Sequence, residues 1–185
     1  MTRSKLAGAR DYFEAVLKPA KERFFAEDAN FQNLYAMINS LYHFHEWLWF
    51  YHSKLLKTQN PGVTTKGKYW ESVVEKSVTD AGLIRDLNNV SKHVKLEIKL
   101  RSQGGPSRNA LHAANTEITV TSSFGGGSVS PGSLGTQSVG VKESGKTIKL
   151  DTVAEDLYRF WESTIDSLEP PPSINLTNSP PSANA

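Results

Sequence analysis

At 185 residues, 38% of them hydrophobic and 22% charged, the chain is long enough to bury one core and too apolar for wholesale disorder. Its 21 basic and 19 acidic residues leave a net charge of +2, so no global field draws it to nucleic acid or an anionic membrane, and such a partner has to be met by a local patch. The absence of cysteine excludes disulfides, thiolate-bound zinc, iron–sulfur clusters and thiol catalysis together.

The opening MTRSKLAGARDYFEAV has no continuous apolar core of a signal peptide, and no run reaches about 18 uncharged apolar residues. A soluble cytoplasmic protein with no membrane partner is therefore expected. Residues 3–26 carry Leu6, Phe13, Val16, Leu17, Ala20 and Phe24 at helical spacing, with Pro19 expected to kink or split the helix, because it lacks the backbone donor. Asp28 or Asn30 can cap the next helix. There Phe31, Leu34, Tyr35, Ile38, Leu41, Tyr42, His45, Leu48, Trp49, His52, Leu55 and Leu56 form one long apolar stripe that ends at Asn60-Pro61-Gly62.

A shorter helix follows on Trp70, Val73, Val74, Ser77 and Val78 and stops near Asp80-Ala81-Gly82. The fourth turns Leu83, Ile84, Leu87, Val90 and Val94 inward. From Lys95 the period drops to two, with Leu96, Ile98 and Leu100 alternating with charged residues, which predicts a strand. Glu117–Thr121 alternates again, and Val139–Val141 with Thr147–Leu150 flank a turn at Glu143-Ser144-Gly145, the pattern of a hairpin. Between them, residues 122–140 hold six Gly and six Ser and read as a flexible loop. Thr152 and Glu155 have the spacing of a capping box for a last helix carrying Val153, Leu157, Phe160, Trp161, Ile165 and Leu168.

These elements predict an α+β chain, mainly an α-helical bundle of four to five helices with a small antiparallel β-sheet or hairpin inserted before the last helix. The expected organisation is one domain over residues 1–169, with the β insertion at about 95–150, and a flexible Pro-rich tail over 170–185 that holds five prolines.

Four motifs bear on chemistry. Gly140–Thr147, GVKESGKT, satisfies the P-loop pattern letter for letter, but a P-loop needs a strand before it and a helix starting at its Lys-Thr. Here Thr147–Leu150 reads as a strand, so a hairpin turn is expected and no nucleotide cofactor. His43, His45 and His52 suggest a metal only at first sight. His43 and His45 lie about 200° apart around a helix, and His45 and His52 about 10 Å apart along it, so no metal is expected; His45 and His52 are either core residues or the lining of a cleft. On the opposite face, Trp47, Phe50 and Tyr51 stand beside His43 where polar residues are the rule. They either pack under the first or last helix or form a homodimer surface.

The fourth helix carries RDLNNVSKH, Arg85 to His93. Asp86, Asn89 and His93, three and four apart, share one ridge at the border of the apolar stripe, with Arg85 and Lys92 adjacent and Lys95 just beyond. Such a ridge can orient an imidazole and offer cations to a phosphate, or it can be an ordinary helix end with a His near its last carbonyls. Residues 54–108 hold 11 basic and five acidic side chains and residues 151–169 one basic and six acidic, so charge is polarised along the chain.

A helical bundle whose helix ends in Ser91-Lys92-His93, followed by Gly145-Lys146-Thr147-Ile148 in a hairpin and Phe160-Trp161 in a last helix, resembles uncharacterised small bacterial proteins over residues 5–168. Such bundles look like the HEPN superfamily, whose active members are metal-independent ribonucleases that set an Arg and a His from two subunits face to face. The resemblance implies RNA as a partner, a homodimer, and a defence or stress role. By type it places catalysis on Arg85 and His93, with Asp86 or Asn89 orienting the imidazole and Lys92 and Lys95 on the phosphates. Seven residues separate Arg85 from His93, against four to six in the family pattern. The alternative is a non-catalytic helical module that acts by homo-oligomerisation.

Overall fold

The computed structural model describes residues 6–26, 31–92, 117–122, 137–143 and 146–170. Most of these are helical. The strand expected from Lys95, the Gly/Ser-rich segment 123–136, the turn at 144–145 and the tail from residue 171 lie outside the described residues.

Helix α1 spans residues 9–25. Pro19 does not split it. Instead the five residues Phe13–Leu17 form a π-turn in which Lys18 N–H reaches back to the Phe13 carbonyl, and Lys18–Phe25 continues as α-helix. The wider turn accommodates the missing proline donor and its ring just where the regular ladder would fail. The helix begins at Ala9 rather than at residue 3.

Helix α2, Phe31–Gln59, is bent at His52, whose φ of −125° and ψ of 15° are not helical. Its buried face comprises Leu34, Met37, Ile38, Ser40, Leu41, Phe44, His45, Leu48 and Leu56, whereas Tyr35 and Leu55, expected in the stripe, are 44% and 43% exposed. The correction has a packing reason. Phe44 meets Tyr12 and Phe13 of α1 on one side and Trp161 of the last helix on the other, so the covered arc is wider than one stripe and rotated toward Met37 and Phe44.

Gly62, at φ 92°, turns the chain out of α2. Helix α3, residues 66–77, is capped by the Thr65 hydroxyl accepting from Lys68 N–H, and it too contains a π-turn, Trp70–Val74. It stops at Ser77, ahead of the expected stop near residue 80, and Asp80 in the left-handed region leads into α4, Ala81–Lys92.

The strands are β1, Glu117–Ser122, β2, Gln137–Glu143, and β3, Lys146–Lys149. Ser122, Gln137 and Ser138, expected in the Gly/Ser-rich loop, are therefore strand residues, and Val139 and Gly140, which the loop and the hairpin patterns share, lie in β2. Helix α5, Leu150–Leu168, follows β3 directly. Its N-cap is Lys149 with no side-chain cap, and Thr152 lies inside the helix, which corrects the capping box. Glu155 instead holds Lys21 of α1 at 3.0 Å and Arg159 at 3.0 Å.

Helices α1 and α5 run antiparallel, as Arg10 pairs with Asp166 and Lys21 with Glu155, while α5 runs parallel to α2, since Trp161 Nε1–H donates to the Leu41 carbonyl at 3.0 Å and Glu169 meets His52. Buried side chains from all five helices and Val141 of β2 form one core cluster. No helix among the described residues is long and apolar enough to cross a membrane.

Candidate functional site

The ridge on α4 is built from the inside outward. Leu83, Ile84 and Leu87 anchor the helix in the core, and their spacing fixes where the polar residues fall. Asp86 is only 4% exposed, so it sits within the fold rather than at the border of the stripe. A carboxylate at that depth needs partners. Arg85 supplies one, Nε donating to Asp86 Oδ1 at 3.1 Å, while its Nη1 donates to Glu75 Oε1 of α3 at 2.6 Å. The same Glu75 oxygen accepts the Trp70 indole N–H at 2.8 Å. Burial alone would lower the Arg85 pKa, but Asp86 and Glu75 more than offset it, and the guanidinium stays charged.

Tyr42, His45 and Trp70 form an aromatic wall beside this network, with ring centroids 4.9 to 5.1 Å apart. His45 is 2% exposed and its Nδ1–H donates to the Tyr42 carbonyl. Burial pushes its pKa down to about 4, so it is a neutral core histidine. Asn89 is half-buried. His93, Lys95 and the side chain of Lys92 lie outside the described residues, so the ridge brings together Arg85 and Asp86 of the expected set.

Trp70 lies on the helix the sequence predicts for it, but its bond to Glu75 is not legible there, for a geometric reason. Residues five apart on a regular helix diverge by about 140°, and the π-turn between them brings the Trp70 indole N–H onto the Glu75 carboxylate. Asn88, wholly buried on α4, was also passed over.

The aromatic face of α2 divides. Trp47 stacks on Tyr12 of α1 at 4.8 Å and 28°, so it packs under the first helix, and Tyr51 follows it at 6.1 Å and 16°. Phe50 stands edge-on to Tyr51 at 5.0 Å and is 79% exposed; Tyr51 is 40% exposed. Nearby, Glu46 accepts from Lys66 and contacts His43 Nδ1 at 2.9 Å. Burial opposes its charge, but Lys66 and His43 prevail and hold its pKa down to about 2.

At the far end of the bundle, Glu169 is clasped from two sides. His52 Nε2, at the bend of α2, bonds its carboxylate, and Arg10 donates to its carbonyl and to that of Ile165 at 3.1 Å.

Among the described residues no three His, Asp or Glu side chains are grouped to hold a metal ion. Lys146 and Thr147, the Lys-Thr of the P-loop pattern, lie in β3 and the next helix starts only at Leu150, so no helix N-terminus stands where a triphosphate needs it. Comparison with family models, curated proteins and solved structures finds no match for this chain.

Proposed function

We propose that this chain is a non-catalytic helical interaction module that associates with a second copy of itself through the second half of α2. The observation that carries this reading is Phe50, a large apolar ring 79% exposed beside Tyr51, 40% exposed, on α2. Clusters of this kind are enriched at interfaces, where aromatic side chains supply large contact area at low entropic cost. Along the sequence, residues 54–108 are rich in cations and residues 151–169 in acids, a charge distribution that favours pairing of two copies. The proposal includes a small antiparallel sheet ahead of α5, in the order β1-β2-β3; it is supported by a register that sets Ile118 and Ile148 opposite Val141, which is fully buried.

A second reading is HEPN-like RNA binding or metal-independent cleavage in bacterial defence or stress, with Arg85, Asp86, Asn89 and His93 as the site and Lys92 and Lys95 on the phosphates. The surplus of cations on residues 54–108 and the 30% of the Arg85 side chain left at the surface favour it. It stands second because the described bonds of Arg85 run to carboxylates of its own chain.

Light scattering coupled to size exclusion tests the first reading, and the expected result is twice the chain mass. A strict monomer at high micromolar concentration rejects it. Incubation with structured and unstructured RNA in the presence of chelator tests the second. Cleavage that disappears in His93→Ala, with the melting temperature unmoved, transfers the function to the ridge.

A further inference from the structure

We infer that Glu169, at the end of α5, is a latch that bends α2 at His52 and so restrains association through the face bearing Phe50 and Tyr51. The inference rests on self-association of that face and names what regulates it. The non-helical residue in α2 is His52, with φ −125° and ψ 15°. Sharp bends in helices come from Pro, from Gly, from a π-turn, or from a group that intrudes on the backbone ladder. Residues 31–59 contain neither Pro nor Gly, and no π-turn interrupts them. A hydroxyl that bonds back to a carbonyl four residues earlier also bends a helix, but the bond from Ser40 to Ala36 lies before residue 52 and that from Thr58 to Lys54 after it. The cause is therefore tertiary. The bond that reaches residue 52 from another element is the one its imidazole Nε2 N–H donates to Glu169 Oε1.

A latch has to be fixed at its own end. Glu169 N–H donates to the Ile165 carbonyl at 2.7 Å, continuing the ladder of α5. Arg10 of α1 donates to the Glu169 carbonyl and, at 3.1 Å, to that of Ile165, and it pairs with Asp166 at 2.7 Å. Gly8, the N-cap of α1, passes so close that a Cβ there would stand 4.0 Å from Glu169 Oε1, and a helix N-terminus favours a carboxylate. Helices α1 and α5 thus hold Glu169, and its carboxylate holds α2. The bend falls between Phe50 and Tyr51 on one side and Leu55 on the other, all three exposed. On an unbroken helix Trp47, Tyr51 and Leu55, four apart, share one ridge. The bend takes Leu55 out of that line, so a facing copy meets Phe50 and Tyr51 without it. With Glu169 released, residue 52 returns to helical dihedrals, because helix on both sides propagates through it, and Leu55 joins the contact.

The test uses the full chain, isotope-labelled, and reads the backbone at residue 52 by its three-bond HN–Hα coupling, which is large at φ near −125° and small in a helix. Glu169→Ala should bring that coupling to the helical value and tighten association roughly tenfold, the order expected from burying one more leucine. Analytical ultracentrifugation over a dilution series reads the association. His52→Ala cuts the bond from its other end and should do the same, so a fault peculiar to one variant does not decide the matter. Glu169→Gln, whose amide oxygen still accepts from the imidazole, should keep the large coupling and the parental association. A coupling that stays large in Glu169→Ala overturns the latch, and so does a helical coupling without tighter association. The mass of the parent judges self-association separately. A monomeric parent whose Glu169→Ala variant dimerises rejects the standing dimer and supports the latch, whereas a dimeric parent matched in affinity by that variant keeps the dimer and overturns the latch.

Discussion

Arg85 on α4 donates to Glu75 on α3 across 2.6 Å and, through its Nε, to the buried Asp86 beside it. One guanidinium thus neutralises two carboxylates and ties together helices that meet at the left-handed Asp80. Removing one partner from such a cluster costs more than the cluster contributes, because a buried charge is left uncompensated. Arg85→Ala is expected to destabilise the chain by roughly 2–4 kcal/mol, and Glu75→Gln by less, since Gln still accepts the Trp70 N–H. Arg85→Lys should recover only part of the loss, because an ammonium cannot match the planar fork. Urea unfolding of the three variants and of the Glu75→Gln/Arg85→Ala double mutant measures this. Additive losses within error would show that the pair is not coupled.

His45 sets a pH dependence. Its folded pKa of about 4 lies below the ordinary value of 6.5, so between these the unfolded chain binds the extra proton. Stability is therefore expected to fall as pH drops from about 6.5 toward 4, by at most about 3 kcal/mol. Glu46, held down to about 2 chiefly by Lys66 and then His43 against the opposing effect of burial, loses its stabilising charge only below about 4.5. The two windows overlap only between about 4.5 and 4. His45→Asn, which keeps a donor for the Tyr42 carbonyl but does not titrate, should flatten the upper window and leave the lower one intact. Melting temperatures measured across pH 7 to 3 check it, and an unaltered slope between 6.5 and 4.5 would remove His45 as the cause.

The helical character was legible because it lies in periodicity. Leu34, Ile38, Leu41, His45, Leu48 and Leu56 recur at helical spacing and are all buried. Their neighbours Met37 and Phe44 were missed because one stripe presumes one partner, whereas α2 is covered by both α1 and α5. The two π-turns lie outside any 3.6-residue template, and with them went the Trp70–Glu75 pairing that organises the ridge. The Thr152–Glu155 spacing matched a cap, but Glu155 is drawn off by Lys21 on a distant segment, a tertiary competition no local pattern records. The candidate site was legible in type, as Arg85 and Asp86 do sit together. Their partner Glu75, on another helix, came only with the fold.

The P-loop look-alike yields a prediction with a null outcome. Because Lys146 and Thr147 are in a strand, Lys146→Ala is expected to leave ATP binding as it is in the parent, undetectable with or without magnesium. Isothermal titration of both proteins checks this. Magnesium-dependent binding in the parent that vanishes in the variant would require a helix start at that residue.

The ring cluster on α2 separates two kinds of aromatic residue that the sequence grouped together. Trp47 is wedged against Tyr12, so Trp47→Ala should lower stability by roughly 2–3 kcal/mol through the lost packing, whatever the oligomeric state. Phe50 is mostly in solvent, and Phe50→Ser should change monomer stability by no more than about 0.5 kcal/mol. If two copies meet through this face, the same Phe50→Ser should weaken association by roughly tenfold to thirtyfold, the ordinary cost of truncating an interfacial aromatic anchor. Sedentation of each variant over a dilution series, paired with thermal melts at the lowest concentration, keeps the two effects apart. A Phe50→Ser chain that dimerises as the parent does moves the contact to another surface, while one that melts several degrees lower even when fully dissociated shows that the ring packs within its own chain.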